Sequence, residues 1–210
     1  MQTSLDHLVI VAPTLEAGDR FVSQRLGVEL QPGGCHPLMG THNKLLRLGT
    51  HVYLEVIAIN PAALPVNRPR WFGLDELPAN VSPRLAHWVA KTDTLQTLGP
   101  MLTEVVGQAQ PMSRGELRWE ITVLADGRLP LEGAAPSLIH WGQPVHPATM
   151  LEDKGCSLRM LDIFHPAPER ISHLLEAMNF SGPVRLHRCE SIEASRLVSS
   201  IETPSGLRNL

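Results

Sequence analysis

An internal repeat constrains the fold of this chain more than any other feature. Leu5-Asp6-His7-Leu8-Val9 returns eighty residues later as Leu85-Ala86-His87-Trp88-Val89, and Thr14-Leu15 returns at the same offset as Thr94-Leu95. Repetition at a fixed spacing indicates that copies of one supersecondary unit build the fold. Each copy places a histidine in a short apolar run, so His7 and His87 are expected to meet across a pseudo-twofold axis.

Composition excludes several classes of protein. The chain has 210 residues, of which 43% are hydrophobic and 19% charged, as in ordinary globular proteins. A net charge of −3 without a basic run gives no reason to expect a nucleic acid or a membrane surface as partner. No apolar stretch approaches the ~20 residues of a membrane span, and the strand-like run that begins at Leu5 leaves no room for a signal peptide. Three widely spaced cysteines without a CxxC pair argue against disulfides and favour a cytoplasmic protein.

Hydrophobic periodicity predicts a β-α-β-β-β order in residues 1–60, the first module. Thr14 is expected to cap the helix and Gly27 to end it. The predicted elements are a strand over 5–12, a helix from Thr14 to Gly27, a strand over 28–31, a loop over 33–43, and strands over 45–48 and 52–59.

The same order restarts after a linker. Residues 61–83 hold five prolines, which is typical of a structured connection. The second module, 84–142, is predicted to contain a strand over 85–91, a helix from Thr94 to about 106, and strands over 106–110, 117–124 and 137–141. A truncated βαββ module over 156–210 follows, with a strand over 157–164, a helix over 168–180, and strands over 184–188 and 196–202. Met160 falls where the first two copies have histidine, so this third module is expected to be structural.

Two sequence segments carry a family resemblance. Residues 33–49 read GGCHPLMGTHNKLLRLG, and Tyr53-Leu54-Glu55-Val56-Ile57 follows shortly after. With the repeated βαβββ modules, they resemble the glyoxalase-like branch of the vicinal oxygen chelate superfamily (glyoxalase, bleomycin resistance and extradiol dioxygenase proteins). The resemblance implies an α+β fold in which paired modules form a cupped, barrel-like mixed sheet flanked by helices.

The resemblance also implies a metal site in the cup, with one ligand from the first strand and one from the last strand of each paired module. Carried onto this chain, the ligands are His7, Glu55 and His87, and the fourth falls at or near His140, where many members have glutamate. Three imidazoles and a carboxylate suit Zn²⁺, Fe²⁺, Ni²⁺ or Mn²⁺. Some members of the superfamily bind ligands without a metal.

Strand alternation supports part of this site without the family. His51, Tyr53, Glu55, Ile57 and Ile59 share one face of their strand, and the opposite face is wholly apolar. Glu55 is therefore expected to point into the concave side, where a carboxylate needs a cation or a donor such as Arg47 or Arg118. By the same alternation, His7 is expected to share its face with Leu5, Val9 and Val11.

Several residues are candidates for contact with a substrate. Gly33 and Gly34 can adopt torsions closed to other residues, and the loop that follows carries His36, His42 and Asn43. Arg114, at the entry to a strand, can hold a carboxylate by paired hydrogen bonds. The alternatives are that Asn43 only caps a turn and that Arg114 is a solvated surface residue.

Two functions from different classes fit these features. The first is a divalent-metal-dependent enzyme of lyase, isomerase or dioxygenase type that acts on a small oxygenated substrate, with Glu55 moving a proton. The second is a metal-free protein with the same cup that binds small molecules or sequesters an antibiotic. A homodimer is compatible with either, and a purely structural domain is a third interpretation.

Overall fold

The computed structural model describes residues 1–78, 80–96, 98–142 and 145–210. Position 79 of the predicted linker, position 97 of a predicted helix and positions 143–144 lie outside the described residues. The strands are β1 (Thr3–Val11), β2 (Gln31–His36), β3 (Thr41–Gly49), β4 (Val52–Ile59), β5 (Arg84–Thr92), β6 (Gln108–Arg114), β7 (Leu117–Val123), β8 (Ser137–Trp141), β9 (Ser157–His165), β10 (Phe180–Ser181), β11 (Val184–Arg188), β12 (Arg196–Thr203) and β13 (Gly206–Asn209). The α-helices are α1 (Leu15–Leu26), α2 (Pro100–Val106) and α3 (Pro168–Ala177).

The first two modules share one strongly curled sheet. Its strand order is β2-β3-β4-β1-β5-β8-β7-β6, and β10 adds to one end of β1. β1 and β5, the repeated strands, pair antiparallel at the centre, and each lies parallel to the last strand of its own module. The outer strands β2 and β6 approach each other. The predicted α+β fold with a cupped, barrel-like mixed sheet is therefore confirmed, and its concave side is called the cup below.

The two faces of this sheet build separate apolar clusters. Leu8, Leu54 and Trp88 pack against the helices on the convex face. Val9 and Val89 belong to the cluster inside the cup. This division follows from strand alternation, and it leaves the cup as the place where polar side chains of β1, β4 and β5 meet.

The third module covers the convex face. Four of its five strands form a second sheet in the order β11-β9-β12-β13, and the apolar side of this sheet joins the convex-face cluster. Phe180 packs edge-on against Trp88 with ring centroids 5.3 Å apart. Met160 lies in β9, opposite Ser200 of β12. The structure adds β10 and β13 to the predicted βαββ order.

Three predicted elements differ from the structure. The strand predicted over 28–31 is displaced, since β2 begins only at Gln31. The stretch predicted as a loop over 33–43 is a hairpin, because β2 runs to His36 and pairs with β3 from Thr41 onward. A glycine-rich outer strand lacks the apolar alternation by which strands are recognised. The helix expected to begin at Thr94 begins instead at Pro100, after Gly99 as N-cap. Proline suits the first position of a helix because its missing N–H has no partner there in any case.

None of the helices in the described part of the chain is long and apolar enough to cross a membrane.

Candidate active site

A β-bulge in β1 determines how His7 is held. The pairing register with β5 shifts between Leu5 and His7. Leu5 consequently packs on the convex face together with Leu8, and not beside His7 as strict alternation predicted. Bulges often redirect side chains beside functional sites. Here Asp6 turns toward the adjacent imidazole, and its Oδ1 lies 2.6 Å from Nδ1 of His7.

Asp6 is the centre of a buried hydrogen-bond network. Its side chain is fully buried, and Oδ2 accepts hydrogen bonds from Trp141 Nε1 at 2.9 Å and from His146 Nε2 at 2.8 Å. Burial alone would raise the pKa of Asp6, but the hydrogen bonds and charges of His146 and His7 outweigh it and hold that pKa well below its usual value. An ionised Asp6 favours the tautomer of His7 with its proton on Nδ1. The Nε2 lone pair of His7 is then free to face the cup.

Glu55 is the residue that His7 faces. Its Oε2 lies 3.7 Å from Nε2 of His7, and its Oε1 accepts a hydrogen bond from the Asn43 amide. The amide oxygen of Asn43 in turn accepts from the backbone N–H of Gly34 at 2.8 Å and from Arg114 Nη1 at 3.3 Å. Asn43 is thus fixed in orientation by two donors and holds Glu55 by one oxygen. The other oxygen remains turned toward His7.

The arginines expected to balance Glu55 do not do so. Arg47 donates to the Gly49 carbonyl, and Arg118 donates to backbone carbonyls beside it. The neutral amide of Asn43 takes their place. A neutral donor satisfies hydrogen bonding without cancelling the negative charge of a carboxylate.

The paired glycines of β2 are required by space and not by backbone torsion. Neither has a left-handed φ. A Cβ on Gly33 would lie 2.0 Å from Oδ1 of Asn43, and a Cβ on Gly34 would lie 2.8 Å from Cδ of Arg114. The glycines therefore allow Asn43 and Arg114 to approach the outer strand.

These residues border a small enclosed space, called the inner cavity. Its volume is about 20 Å³, room for about one water molecule or ion. Its lining is His7, His36, Tyr53, Glu55, Trp71, Phe72, Arg114, Trp119, Ile121, Ile139 and Trp141. The segment predicted as a linker contributes Trp71 and Phe72, which belong to the apolar cluster of the cup. Three indoles and a phenyl ring exclude most solvent from the His7 and Glu55 side chains.

His36 lies in the cup, where a substrate-binding residue was predicted. Its Nδ1 is 3.1 Å from Oγ1 of Thr41, and its ring meets Trp71 edge-on at 5.1 Å. Burial is the main cause that lowers the pKa of His36 to about 4. The ring is neutral near pH 7 and offers Nε2 to the cavity as a hydrogen-bonding group, not as a charge.

His87 is held by its own module and turned away from ligation. Its Nε2 accepts a hydrogen bond from the Ser137 backbone N–H at 3.1 Å and lies 3.0 Å from Ser137 Oγ. Burial lowers the pKa of His87 to about 3, and the Gly133 carbonyl opposes this only weakly. Nδ1 meets no acceptor in hydrogen-bonding geometry among the described residues. The Phe72 ring packs beside the imidazole, tilted by 41° and with ring centroids 5.2 Å apart.

The strand register explains why the two copies differ. Val9 lies opposite Glu55 in the pairing of β1 with β4, and Val89, its repeat equivalent, lies opposite Ser137 in the pairing of β5 with β8. Ser137 is therefore the counterpart of Glu55. In the same register the second copy has Ala86 where the first has Asp6. The second copy lacks both carboxylates of the first.

His140 does not lie beside the other predicted ligands, which corrects its expected role as the fourth ligand. Ile139 and Trp141 point into the cup, so His140, between them on β8, points to the opposite face. Its Nδ1 lies 3.1 Å from the Thr92 carbonyl. It lines an outer groove with Lys91.

His42 is likewise separated from the cup by one strand step. Asn43 points inward, and His42 shares the convex face with Lys44, which forms an ion pair with Asp19 of α1. Burial lowers the pKa of His42, and the charge of Glu16 on the same helix opposes that effect. His42 therefore lies on the face of the sheet opposite the predicted substrate site.

Two of the four predicted ligands, His7 and Glu55, are placed to bind one cation. Among the described residues, no group of three His, Cys, Asp or Glu side chains is arranged to hold one metal ion. His7 Nε2 and Glu55 Oε2, 3.7 Å apart, are close enough for one ion to lie about 2.0–2.2 Å from each. Asp6 on the other ring nitrogen gives His7 the carboxylate partner that metal-binding histidines usually have. The residues of the first copy are therefore arranged to bind a divalent cation, and those of the second copy are not.

Comparison with known proteins places the chain in a family. The family model described as a glyoxalase-like domain matches residues 5–178. The chain belongs to the glyoxalase-like domain family. No curated protein is similar enough in sequence to count as a relative.

Solved structures are similar to this glyoxalase-like protein to different degrees. A hypothetical protein from Staphylococcus aureus is 13% identical, with a TM-score of 0.64 over 92% of this chain and 88% of that one. Methylmalonyl-CoA epimerase from Streptomyces coelicolor, in complex with 2-nitronate-propionyl-CoA, is 15% identical over 68% of this chain and 100% of its own, with a TM-score of 0.46. The epimerase from Mycobacterium tuberculosis is 15% identical over 66% of this chain and 88% of its own, with a TM-score of 0.40. The likeness to the Staphylococcus aureus protein shows the fold and not a reaction.

The buried neutral histidines predict a loss of stability in mild acid. The unfolded chain protonates His36 and His87 below a pKa of about 6.5, whereas the folded protein does so only near 4 and 3. The free energy of unfolding is therefore expected to be full above pH 6.5 and to fall as the pH drops, by on the order of 3 kcal/mol for each histidine at pH 4. Urea titrations at a series of pH values measure this.

The variant His36→Gln serves as the control. It lacks one titrating ring, so its stability should decline less steeply between pH 6.5 and 4.5. A wild-type stability that is constant over this range would contradict the assignment of both rings as neutral.

Proposed function

We propose that this glyoxalase-like protein is an enzyme of lyase or isomerase type that moves a proton on a small oxygenated substrate, assisted by a divalent cation held by His7 and Glu55. The observation that carries the proposal is the facing of His7 Nε2 and Glu55 Oε2 at 3.7 Å inside an enclosed cavity, with Asp6 fixing the ring from behind. Zn²⁺, Fe²⁺, Ni²⁺ and Mn²⁺ all accept one imidazole and one carboxylate.

The proton-moving group in this proposal is Glu55. A bound cation would act as a Lewis acid on substrate oxygens. Asn43 holds Oε1 of Glu55. Oε2 is the oxygen that would hold the cation, so it takes a proton from a carbon next to a carbonyl, and returns it, once the substrate has displaced it from the cation. The indoles of Trp71, Trp119 and Trp141 limit water around that carboxylate.

The state of His87 favours proton transfer over oxygen chemistry. The non-haem iron sites of oxygenases use two histidines and one carboxylate on one face of the metal. His87 is hydrogen-bonded to Ser137 and packs against Phe72, so it would have to leave its hydrogen bonds to serve as the second histidine of such a site. Proton transfer at Glu55 needs no second histidine.

Metal titration of the chelator-treated protein tests the proposal. One Mn²⁺ or Zn²⁺ ion per chain is expected by isothermal titration calorimetry. His7→Ala and Glu55→Gln should each weaken binding by at least about tenfold, because each removes one of two protein ligands. His140→Ala, a matched histidine outside the cup, should bind as the wild type does.

The outcomes separate the two candidate functions. Loss of affinity in His140→Ala, or none in His7→Ala, would overturn the assignment of ligands. A wild-type protein that binds neither Mn²⁺ nor Zn²⁺ would instead support the metal-free binding protein. The neutral amide on Glu55 and the closed His87–Ser137 pair are the observations that favour this second candidate.

A further inference from the structure

A groove opens where the two outer strands of the curled sheet approach each other. It lies between β2 and β6, and the turn at 147–151 forms one wall. This space, the mouth groove, has a volume of about 600 Å³. Small-molecule sites typically measure about 300–1,000 Å³. The mouth groove is therefore large enough for a substrate, whereas the inner cavity is not.

Apolar side chains and one charged side chain line the mouth groove. The apolar walls come from Leu45, Leu117, Pro147, Met150 and Leu151. Arg114 is the one charged side chain among the described residues of the groove. Within the described part of the chain, no carboxylate comes within ion-pair distance of Arg114. Its Nη1 donates to the neutral Asn43 amide oxygen, so its charge remains available to an anion.

Arg114 also connects this groove to the proposed reaction centre. It borders both the mouth groove and the inner cavity. An anionic group on its guanidinium would leave the rest of a ligand in the groove and place neighbouring atoms beside His36 and Glu55. The paired N–H groups of arginine fit the two oxygens of a carboxylate.

We infer that the mouth groove binds the apolar arm of a monocarboxylate substrate and that Arg114 binds its carboxylate. The inference deepens the proposed function and rests on it for the identification of this ligand as the substrate. It narrows the substrate from a small oxygenated molecule to one that combines an acyl or aryl arm with a single negative charge.

Calorimetric titration with three simple probes tests the pairing of arm and charge. Octanoate carries both features, 1-octanol only the arm, and acetate only the charge. Octanoate should bind at least about tenfold more tightly than either, because hydrogen bonds to a charged group and apolar burial both contribute.

Matched variants assign each feature to its residue. Arg114→Gln should remove the preference for octanoate over octanol. Arg118→Gln replaces an exposed arginine that donates to backbone carbonyls, and it should keep this preference. Met150→Glu places a negative charge at the groove and should weaken octanoate by about tenfold or more. Met101→Glu changes an exposed methionine elsewhere and should have no effect.

Different outcomes would overturn the proposed function and the groove proposal. If octanoate binds no better than acetate and octanol, or equally well to Arg114→Gln, the groove proposal is overturned even when Mn²⁺ binds at His7 and Glu55. If octanoate binds as expected in the presence of chelator and in Glu55→Gln while no metal binds, the groove proposal stands and the metal-assisted reaction does not.

Discussion

Replacing Asp6 with alanine is expected to lower the free energy of unfolding by about 3–5 kcal/mol, because each buried donor left without its acceptor costs about 1–3 kcal/mol. The variant removes the fully buried carboxylate that accepts hydrogen bonds from the rings of His7 and His146 and from the indole N–H of Trp141. Equilibrium urea unfolding at pH 7 measures the change.

Asp162→Ala is the matched control for this prediction. Asp162 also accepts from a histidine and a basic side chain, His187 and Arg185, but at the surface of the third module. Its loss should cost about 1 kcal/mol or less. If Asp6→Ala were no more destabilising than Asp162→Ala, the central role given to Asp6 would be wrong.

Asp6→Asn tests the effect of Asp6 on the orientation of His7 apart from its effect on stability. It keeps one acceptor oxygen but no charge, so the folded protein should persist. Metal affinity should fall by about 10- to 100-fold, as it does when the outer partner of a metal-binding histidine is changed. An unchanged affinity would show that Asp6 does not orient His7.

Gly33→Ala is expected to lower both the stability and the metal affinity of the protein, although Gly33 is neither a proposed metal ligand nor the proposed base. The added Cβ would lie 2.0 Å from Asn43 Oδ1 and 3.0 Å from the Asn43 carbonyl oxygen, so Asn43 must move and release Glu55. Overpacking of this kind costs about 1–3 kcal/mol. The divalent metal should bind at least about tenfold more weakly, since a misplaced ligand loses its geometry. Thermal unfolding and metal titration measure the two effects.

Gly142→Ala provides the comparison. A Cβ at Gly142 meets none of the described residues within 4 Å, so this variant should retain both stability and metal affinity. Equal losses in the two alanine variants would mean that the effect is a general one of glycine replacement and not a consequence of the Asn43 contact.

Much of the fold follows from the repeat and from strand alternation. The apolar face of β4 and the inward position of Glu55 were both predictable, because neither depends on anything beyond a period of two. β2 and the start of α2 were not, since a glycine-rich outer strand and a proline-capped helix give no apolar periodicity.

The errors at the site come from single-residue shifts. The bulge after Leu5 turns the Asp6 side chain toward the His7 ring, and strand alternation alone cannot predict a bulge. His140 and His42 each lie one step from the inward position, and one step reverses the face. The sequence did hold one usable signal, because Ala86 stands in the second copy where Asp6 stands in the first. That difference indicates that only one histidine has an acidic partner.

The closure of the sheet has a consequence for how this protein behaves in concentrated solution. Exposed outer strands offer unpaired backbone groups to which other chains can add, and this promotes aggregation. Here β2 and β6 face each other across the mouth groove, and each contains a proline, Pro32 and Pro111, that cannot donate a backbone hydrogen bond. The same edges that admit a ligand are therefore poor templates for self-association.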